Sequence, residues 1–235
     1  MNKKQVLVVS ATQKFKTCDT MLQKSLCSMS DNNSVVKKQY KLRMHVKNKK
    51  PLPQVYNEYL TEKYLNHYDI ALFVHDDVYI DDLGCFDKLY NSIFEYGNDI
   101  VGLAGTSQAT VKKPALWHLM SDKKYHTGHV AHINEKDDTM FTTAFGPYPK
   151  RCLLLDGLFI GVNIASALKS GWTFNENFAF HHYDLSSCLD ANKAKLKLST
   201  CNIHVVHASP GLHNYYDEDF QESEKKFLQL YGNNA

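Results

Sequence analysis

Residues Asp69 to Asp82, reading DIALFVHDDVYIDD, constrain this chain more than any other stretch. The five consecutive apolar residues from Ile70 to Val74 have the pattern of a strand buried on both faces, as in a parallel sheet packed between helices. The run stops abruptly at His75, Asp76 and Asp77, and ligands of open α/β sheets bind where such strands end. Adjacent carboxylates at Asp76 and Asp77, with Asp81 and Asp82 close behind, repel one another unless a positive group faces them. A hard divalent cation carrying a phosphate meets that need. The alternative is that the acidic pair simply opens a solvated turn.

The chain has 235 residues, 43% hydrophobic and 22% charged, enough for one substantial core and within the range of a single α/β domain. The start, MNKKQVLVVSATQ, lacks a cleavage site behind an apolar core and reads as a first strand, not a signal peptide. The longest apolar stretch, Cys152 to Leu168, contains Asp156 and Asn163 and is too short and polar to span a bilayer. Six cysteines without a C-x-x-C pair point to free, reduced, buried thiols, so a soluble cytoplasmic protein is expected. Charge is distributed unevenly: residues 1–50 carry a net +10 and the remainder −8. A basic N-terminal part facing an anion suits a nucleotide diphosphate or a nucleic-acid backbone. Its alternative is a lysine-coated solvent face.

In chain order, Gln5 to Ser10 reads as a strand opening into Ser10-Ala11-Thr12, small residues that let a ligand approach the backbone. Asp19 to Ser30 has helical spacing of Met21, Leu22, Leu26 and Met29, and a second strand is expected around Ser34 to Tyr40. A basic loop, Lys41 to Lys50, precedes an amphipathic helix from Pro51 to about Asn66 with proline in its first turn. Gly84 to Tyr96 patterns as a helix and Asp99 to Gly105 as a fourth strand.

From Thr106 to Arg151 periodicity fades, as in a functional insertion or lid. Its spacing His126-x-x-His129-x-x-His132 is compatible with metal ligation, but no helix supports it and no cysteine lies nearby, which favours exposed or substrate-facing histidines. Beyond it, Leu153 to Leu155 reads as a buried strand ending in Asp156-Gly157, and Leu158 to Val162 as the next. A short helix runs to Lys169. Asp184 immediately precedes LSSCLDANKA and is expected as the N-cap of that helix, a role that still leaves its carboxylate at the ligand edge. Leu196 to Thr200 and Ile203 to Val206 read as paired short strands.

These signatures, in this order, resemble the GT-A glycosyltransferases of the family-2-like group. The carriers are His75-Asp76-Asp77-Val78, Pro53 to Asn57 ahead of it, Val101 to Gly105, Asp156-Gly157, Phe174-x-Glu176-x-Phe178 with Asp184, and Val206 to Ser209. The likeness spans roughly residues 5–210. It implies a single GT-A domain over residues 1–235 with a mixed, mostly parallel sheet flanked by helices. Residues 1–105 would form the nucleotide-sugar half, 106–151 the lid, and 152–235 the acceptor and catalytic half.

The resemblance further implies a nucleotide-diphosphate sugar donor and Mn2+ or Mg2+ held by Asp77 and His207; for His207 a packed strand-end histidine is the alternative. Ser10, Ala11, Tyr56, Asn57, His75 and Asp76 are expected at the donor, and Asp156, Gly157, Trp117 and His182 at the acceptor. Asp184 matches the catalytic base of an inverting single displacement. Two positions depart from the pattern: His75 replaces the first acidic residue of the metal motif, and Tyr183 replaces the acidic residue that often precedes the base. The acceptor stays open among a glycan, a lipid, a protein and a modified DNA base, and a non-catalytic sugar-nucleotide-binding module is the reading from another class.

Overall fold

A computed structural model describes residues 5–108, 113–134, 139–208 and 217–232. Strands β1 (Val6–Ala11) and β3 (Ile70–Val74) are the two continuous apolar runs, and both are buried along nearly their whole length. They pair in parallel, with β2 (Tyr40–His45) on the outer side of β1. Between them the chain crosses the sheet through α1 (Met21–Asn32), capped by the Thr20 hydroxyl accepting from Gln23 N, with Leu22, Leu26 and Met29 buried. After β3 come β4 (Val78–Ile80), α4 (Cys85–Phe94), β5 (Ile100–Gly102) and β6 (Ala104–Thr106). The chain after β6 supplies α5 (Trp117–Met120) and a long hairpin, β7 (His126–Asn134) with β8 (Thr139–Gly146). Then follow β9 (Leu154–Leu155), β10 (Phe159–Asn163), and the helix Ile164–Ser170, stopped by Gly171 in the left-handed region at φ 70°.

The first sheet has the order β11-β5-β10-β3-β1-β2, where β11 is Leu198–Thr200. Only β10 runs against the other strands, so the sheet is mixed and mostly parallel. The second sheet runs β4-β12-β7-β6-β9, with β12 (Val205–His207) between β4 and β7 and with β8 paired to β7. This architecture agrees with the expected fold class.

Several local expectations are corrected. The second strand is Tyr40–His45, beginning where the expected strand ended and running into the stretch read as a basic loop, while Val36–Lys38 forms a single 3-10 turn. An edge strand tolerates lysine and arginine on its open face, which hid the alternation Tyr40, Leu42, Met44. The single helix expected from Pro51 to Asn66 is two, Leu52–Asn57 (α2) and Glu62–Leu65 (α3), in chain order ahead of β3. The i→i+3 bonds Tyr59 N to Tyr56 O and Leu60 N to Asn57 O tighten the chain between them and turn Tyr59 and Leu60 into the core. The fourth strand breaks at Leu103, so β5 and β6 belong to different sheets. Likewise β11 and β12 do not pair with each other: β11 lies on β5, and β12 on β4 and β7.

Helices complete the molecule: α6 is the Ile164–Ser170 helix, α7 is Tyr183–Lys193 and α8 is Glu218–Tyr231. Sequence reading did not anticipate α8, whose Phe220 and Phe227 pack on His182. Four cysteines are buried as expected, but Cys18 and Cys27 are exposed. Among the described residues no helix is long and apolar enough to cross a membrane.

Asn57 ties α2 to the segment that leads into α7. Its amide donates to Phe174 O (2.9 Å) and Glu176 Oε1 (2.8 Å), and its carbonyl accepts from Phe174 N (2.8 Å). Replacing Asn57 by alanine is expected to cost about 1–3 kcal/mol in urea denaturation, because the buried Phe174 N–H loses its acceptor. Nucleotide affinity, measured on the folded fraction, is expected to hold.

Candidate active site

The end of β3 builds the first part of the site. His75 is anchored by its own N–H donating to Leu158 O (3.0 Å), and His75, Asp76 and Asp77 form the turn into β4. Strand β12 lies antiparallel to β4 with His207 opposite Val78, and Ala208 N donates to Asp77 O at 3.0 Å. That register delivers the His207 imidazole to Asp77, with Nε2 and Oδ1 3.4 Å apart. His75, Asp77 and His207 each offer one ligand atom, all within 4.8 Å of one another, the one such cluster among the described residues.

The electrostatics of the three are linked. Burial acts to raise the Asp77 pKa, but the His207 and His75 imidazoles outweigh it and hold the carboxyl below its usual range. Burial likewise acts to lower His207, and Asp77 overrides it and raises the imidazole. His75 is lowered by burial, with His207 adding to the effect and Asp77 opposing it. Asp77 Oδ1 is buried and has no hydrogen bond, only the His207 imidazole at ion-pair distance. A buried carboxylate oxygen left unbonded between two imidazoles is a donor set suited to a first-row divalent cation, so these residues fit a metal.

The second part comes from the turn between β9 and β10 and the start of α7. Asp184 Oδ2 accepts from Gly157 N (2.8 Å), Tyr183 Oη donates to Gly157 O (2.9 Å), and Asp156 Oδ1 accepts from Leu158 N (3.1 Å). A Cβ on Gly157 would stand 2.7 Å from Tyr183 Oη and 3.0 Å from Asp184 Cβ, so only glycine admits this approach. Asp184 is not the N-cap: His182 holds that place at φ 62°, and Asp184 lies inside the first turn. Burial, then the charge of Asp156, pushes the Asp184 pKa up to about 7. Asp156 also faces His75 and His207 electrostatically, which joins the carboxylate pair to the imidazole cluster.

Beside Asp76 lies an open cleft of about 490 Å³, lined among others by Ala11, Thr12, Lys14, Lys49, Lys50 and Phe180. Asp76 Oδ2 accepts a 2.5 Å hydrogen bond from Thr12 Oγ1, which fixes the carboxylate at the cleft wall. Three of the basic N-terminal residues, Lys14, Lys49 and Lys50, lie at this cleft, with Lys50 Nζ also reaching Glu58 (2.8 Å).

The expected site residues separate accordingly. Asp76, Asp77, His75, His207, Asp156, Gly157 and Asp184 come together, and Ala11 lines the cleft. Ser10 and Tyr56 do not reach it. Ser10 is fully buried with an unbonded hydroxyl, and Tyr56 packs in the core against Phe73, Phe174 and Tyr183. Asn57 is committed to Phe174. Trp117 is buried against His126 and Phe145, and His182 is buried under α8 with Nδ1 on Ser223 Oγ (2.9 Å), so neither presents a surface to an acceptor. Ser209 of the terminal motif lies outside the described residues.

The three spaced histidines do not converge. His126 bonds Ser121 Oγ, His129 is sandwiched by Tyr148 and His204, and His132 stacks on Phe141. Only His132 faces the site, its ring 5.9 Å from that of His207. Asp81 and Asp82 belong to a separate arrangement, in which Asp82 Oδ2 accepts from Lys88 Nζ (2.7 Å) and His204 N (3.2 Å). Thr12 and His132 lay in stretches singled out from the sequence without a role of their own, and Phe180 was missed. Thr12 follows a strand end, where the sequence already placed a ligand; the places of His132 and Phe180 depend on pairing across the fold.

A family model described as "glycosyltransferase like family" matches residues 7–231. No curated protein matches the chain. Among solved structures, A197 from STIV aligns over 87% of this chain and 86% of its own, at 10% identity and a TM-score of 0.51. TarS 1–349 from S. aureus aligns over 98% of this chain, which spans 66% of that one, at 12% identity and a TM-score of 0.50. The mannosyltransferase PcManGT from Pyrobaculum calidifontis, in complex with GDP-Man and Mn2+, aligns over 99% of this chain and 72% of its own at 10% identity and a TM-score of 0.48. Likeness at such identity concerns the fold, and the family match covers nearly the whole sequence, including every strand end that builds the site. The chain belongs to this glycosyltransferase-like family, on a fold of the GT-A type.

Proposed function

We propose that this protein transfers a sugar from a nucleoside-diphosphate donor to an acceptor hydroxyl, with inversion at the anomeric carbon. The observation that carries the proposal is the convergence, around Gly157, of an imidazole–carboxylate cluster and a separate carboxyl whose pKa is pushed up to about 7. His75, Asp77 and His207 would hold a divalent cation, which when bound would supply positive charge to a departing diphosphate.

The remaining steps belong to the chain itself. The cleft beside Asp76 takes the nucleotide, with Lys14, Lys49 and Lys50 favouring an anion there. This use of the basic N-terminal residues favours a diphosphate donor over a nucleic-acid acceptor. A hydroxyl is a poor nucleophile at neutral pH, and Asp184, one oxygen fixed by Gly157 N–H, accepts its proton as it attacks. A base near neutrality is strong enough to take that proton and still ionised for a useful fraction of the time. The hairpin β7–β8 borders the acceptor side: His132 lies beside His207, and Phe141, 53% exposed, presents a ring to whatever enters.

A thermal-shift panel of nucleoside diphosphates and their sugars with Mn2+ identifies the donor. With that donor, Asp184→Asn is expected to abolish turnover while leaving its shift intact, since an amide still accepts from Gly157 N–H but takes no proton. Equal turnover in parent and variant removes the base assignment.

The rate should also follow the ionisation of Asp184. Below about pH 7 the carboxyl is protonated and cannot act, so kcat/KM rises with pH and levels off above. Asp156→Asn removes a neighbouring negative charge and is expected to move the rising limb to lower pH. A limb that stays in place excludes that coupling.

Two of the three candidate ligands are imidazoles, and Mg2+ prefers oxygen donors, so calorimetry is expected to rank Mn2+ above Mg2+. Asp77→Ala should lose both metal binding and turnover.

A further inference from the structure

Tyr183 is buried and outside the set expected to touch donor, acceptor or cation, yet its hydroxyl sits between the two halves of the site. Its ring is only 2% exposed and packs against Tyr56 and Phe174, with centroids 6.0 and 6.1 Å away. Its Oη lies 3.2 Å from His75 Nε2 and donates to Gly157 O at 2.9 Å. A phenol has a single proton. With that proton directed to the Gly157 carbonyl, Oη can only accept from His75, so Nε2 must carry the imidazole hydrogen. Nδ1 is then the unprotonated nitrogen, and a neutral imidazole binds a cation through its lone pair.

We infer that Tyr183 is a positioning residue: its hydroxyl, oriented by the Gly157 carbonyl, fixes the His75 tautomer with the proton on Nε2 and presents Nδ1 to the cation site. The inference rests on the metal reading above and names the residue that prepares it. Gly157 also gives its N–H to Asp184, so one residue orients both the ligand imidazole, through Tyr183, and the base. Tyr183 touches neither substrate nor cation in this scheme. A hydroxyl serving core stability alone would leave the tautomer of His75 unset.

The test uses the full chain and Mn2+ alone as probe. Tyr183→Phe keeps the ring in its pocket and removes only the hydroxyl. Long-range proton–nitrogen NMR correlations of isotope-labelled histidine read the tautomer in metal-free protein, with His75 assigned by its loss in His75→Gln. The parent is expected to carry the proton on Nε2, and Tyr183→Phe to show a mixture of tautomers. Mn2+ affinity, followed by electron paramagnetic resonance, is expected to fall about 10–100-fold in Tyr183→Phe, the usual cost of losing an outer-shell partner. A parent protonated on Nδ1, or a Tyr183→Phe protein with the parent's tautomer and the parent's Mn2+ affinity, overturns the assignment. Asp77→Ala separates the two levels. If that variant binds Mn2+ as the parent does, the metal reading fails, while the tautomer, measured without metal, still decides the role of Tyr183.

Discussion

Both halves of the site are held by one residue, Gly157. The N–H of Gly157 is taken by Asp184 Oδ2 and its carbonyl by Tyr183 Oη, two consecutive residues at the start of α7. Because Gly157 lies in the turn between β9 and β10, these bonds lock the helix to the end of the sheet where β3 also terminates. Glycine is required at that point by the 2.7 Å approach that a Cβ would make to the Tyr183 hydroxyl. The antiparallel strand β10, inserted between β3 and β5, puts that turn next to His75, whose backbone N–H reaches Leu158 O.

Around this anchor the charges are graded by their neighbours. Asp77 is kept ionised by imidazoles despite burial, whereas Asp184, with another carboxylate beside it, is held near neutrality. The same residue type thus takes two roles, because environment decides which form is favoured. The two positions that depart from the family-2-like pattern, His75 and Tyr183, lie 3.2 Å apart and bond to each other. A histidine ligand needs a partner to set its tautomer, which an acidic ligand does not, and the phenol meets that requirement.

Much of this was legible in the linear sequence. Continuous apolar runs can be buried on both faces only in an internal strand, so β1 and β3 were evident, as were the acidic turn after β3 and the polar end of β9. Motif spacing was less informative where the residues pack. The Tyr56-Asn57 pair sits in the matching motif but serves the core and a clamp on Phe174, and the regular spacing of His126, His129 and His132 leads to three unrelated environments. The stretch read as a lid concealed its hairpin because β8 is largely exposed and the buried part of β7 is built mostly of His126, Thr127, Gly128 and His129, which make no apolar run.

The sequence by itself determined the class of fold and the acidic end of β3 that carries Asp76 and Asp77, because burial and local charge repulsion are properties of neighbours along the chain; the roles of Asp156 and Asp184 entered through the family resemblance. Only the tertiary structure decided which groups meet there. His207 reaches Asp77 through the register of β12 on β4, and Tyr183 reaches His75 through the docking of α7 on the β9–β10 turn. Strand register and helix docking depend on pairings between distant segments, and no local pattern records them.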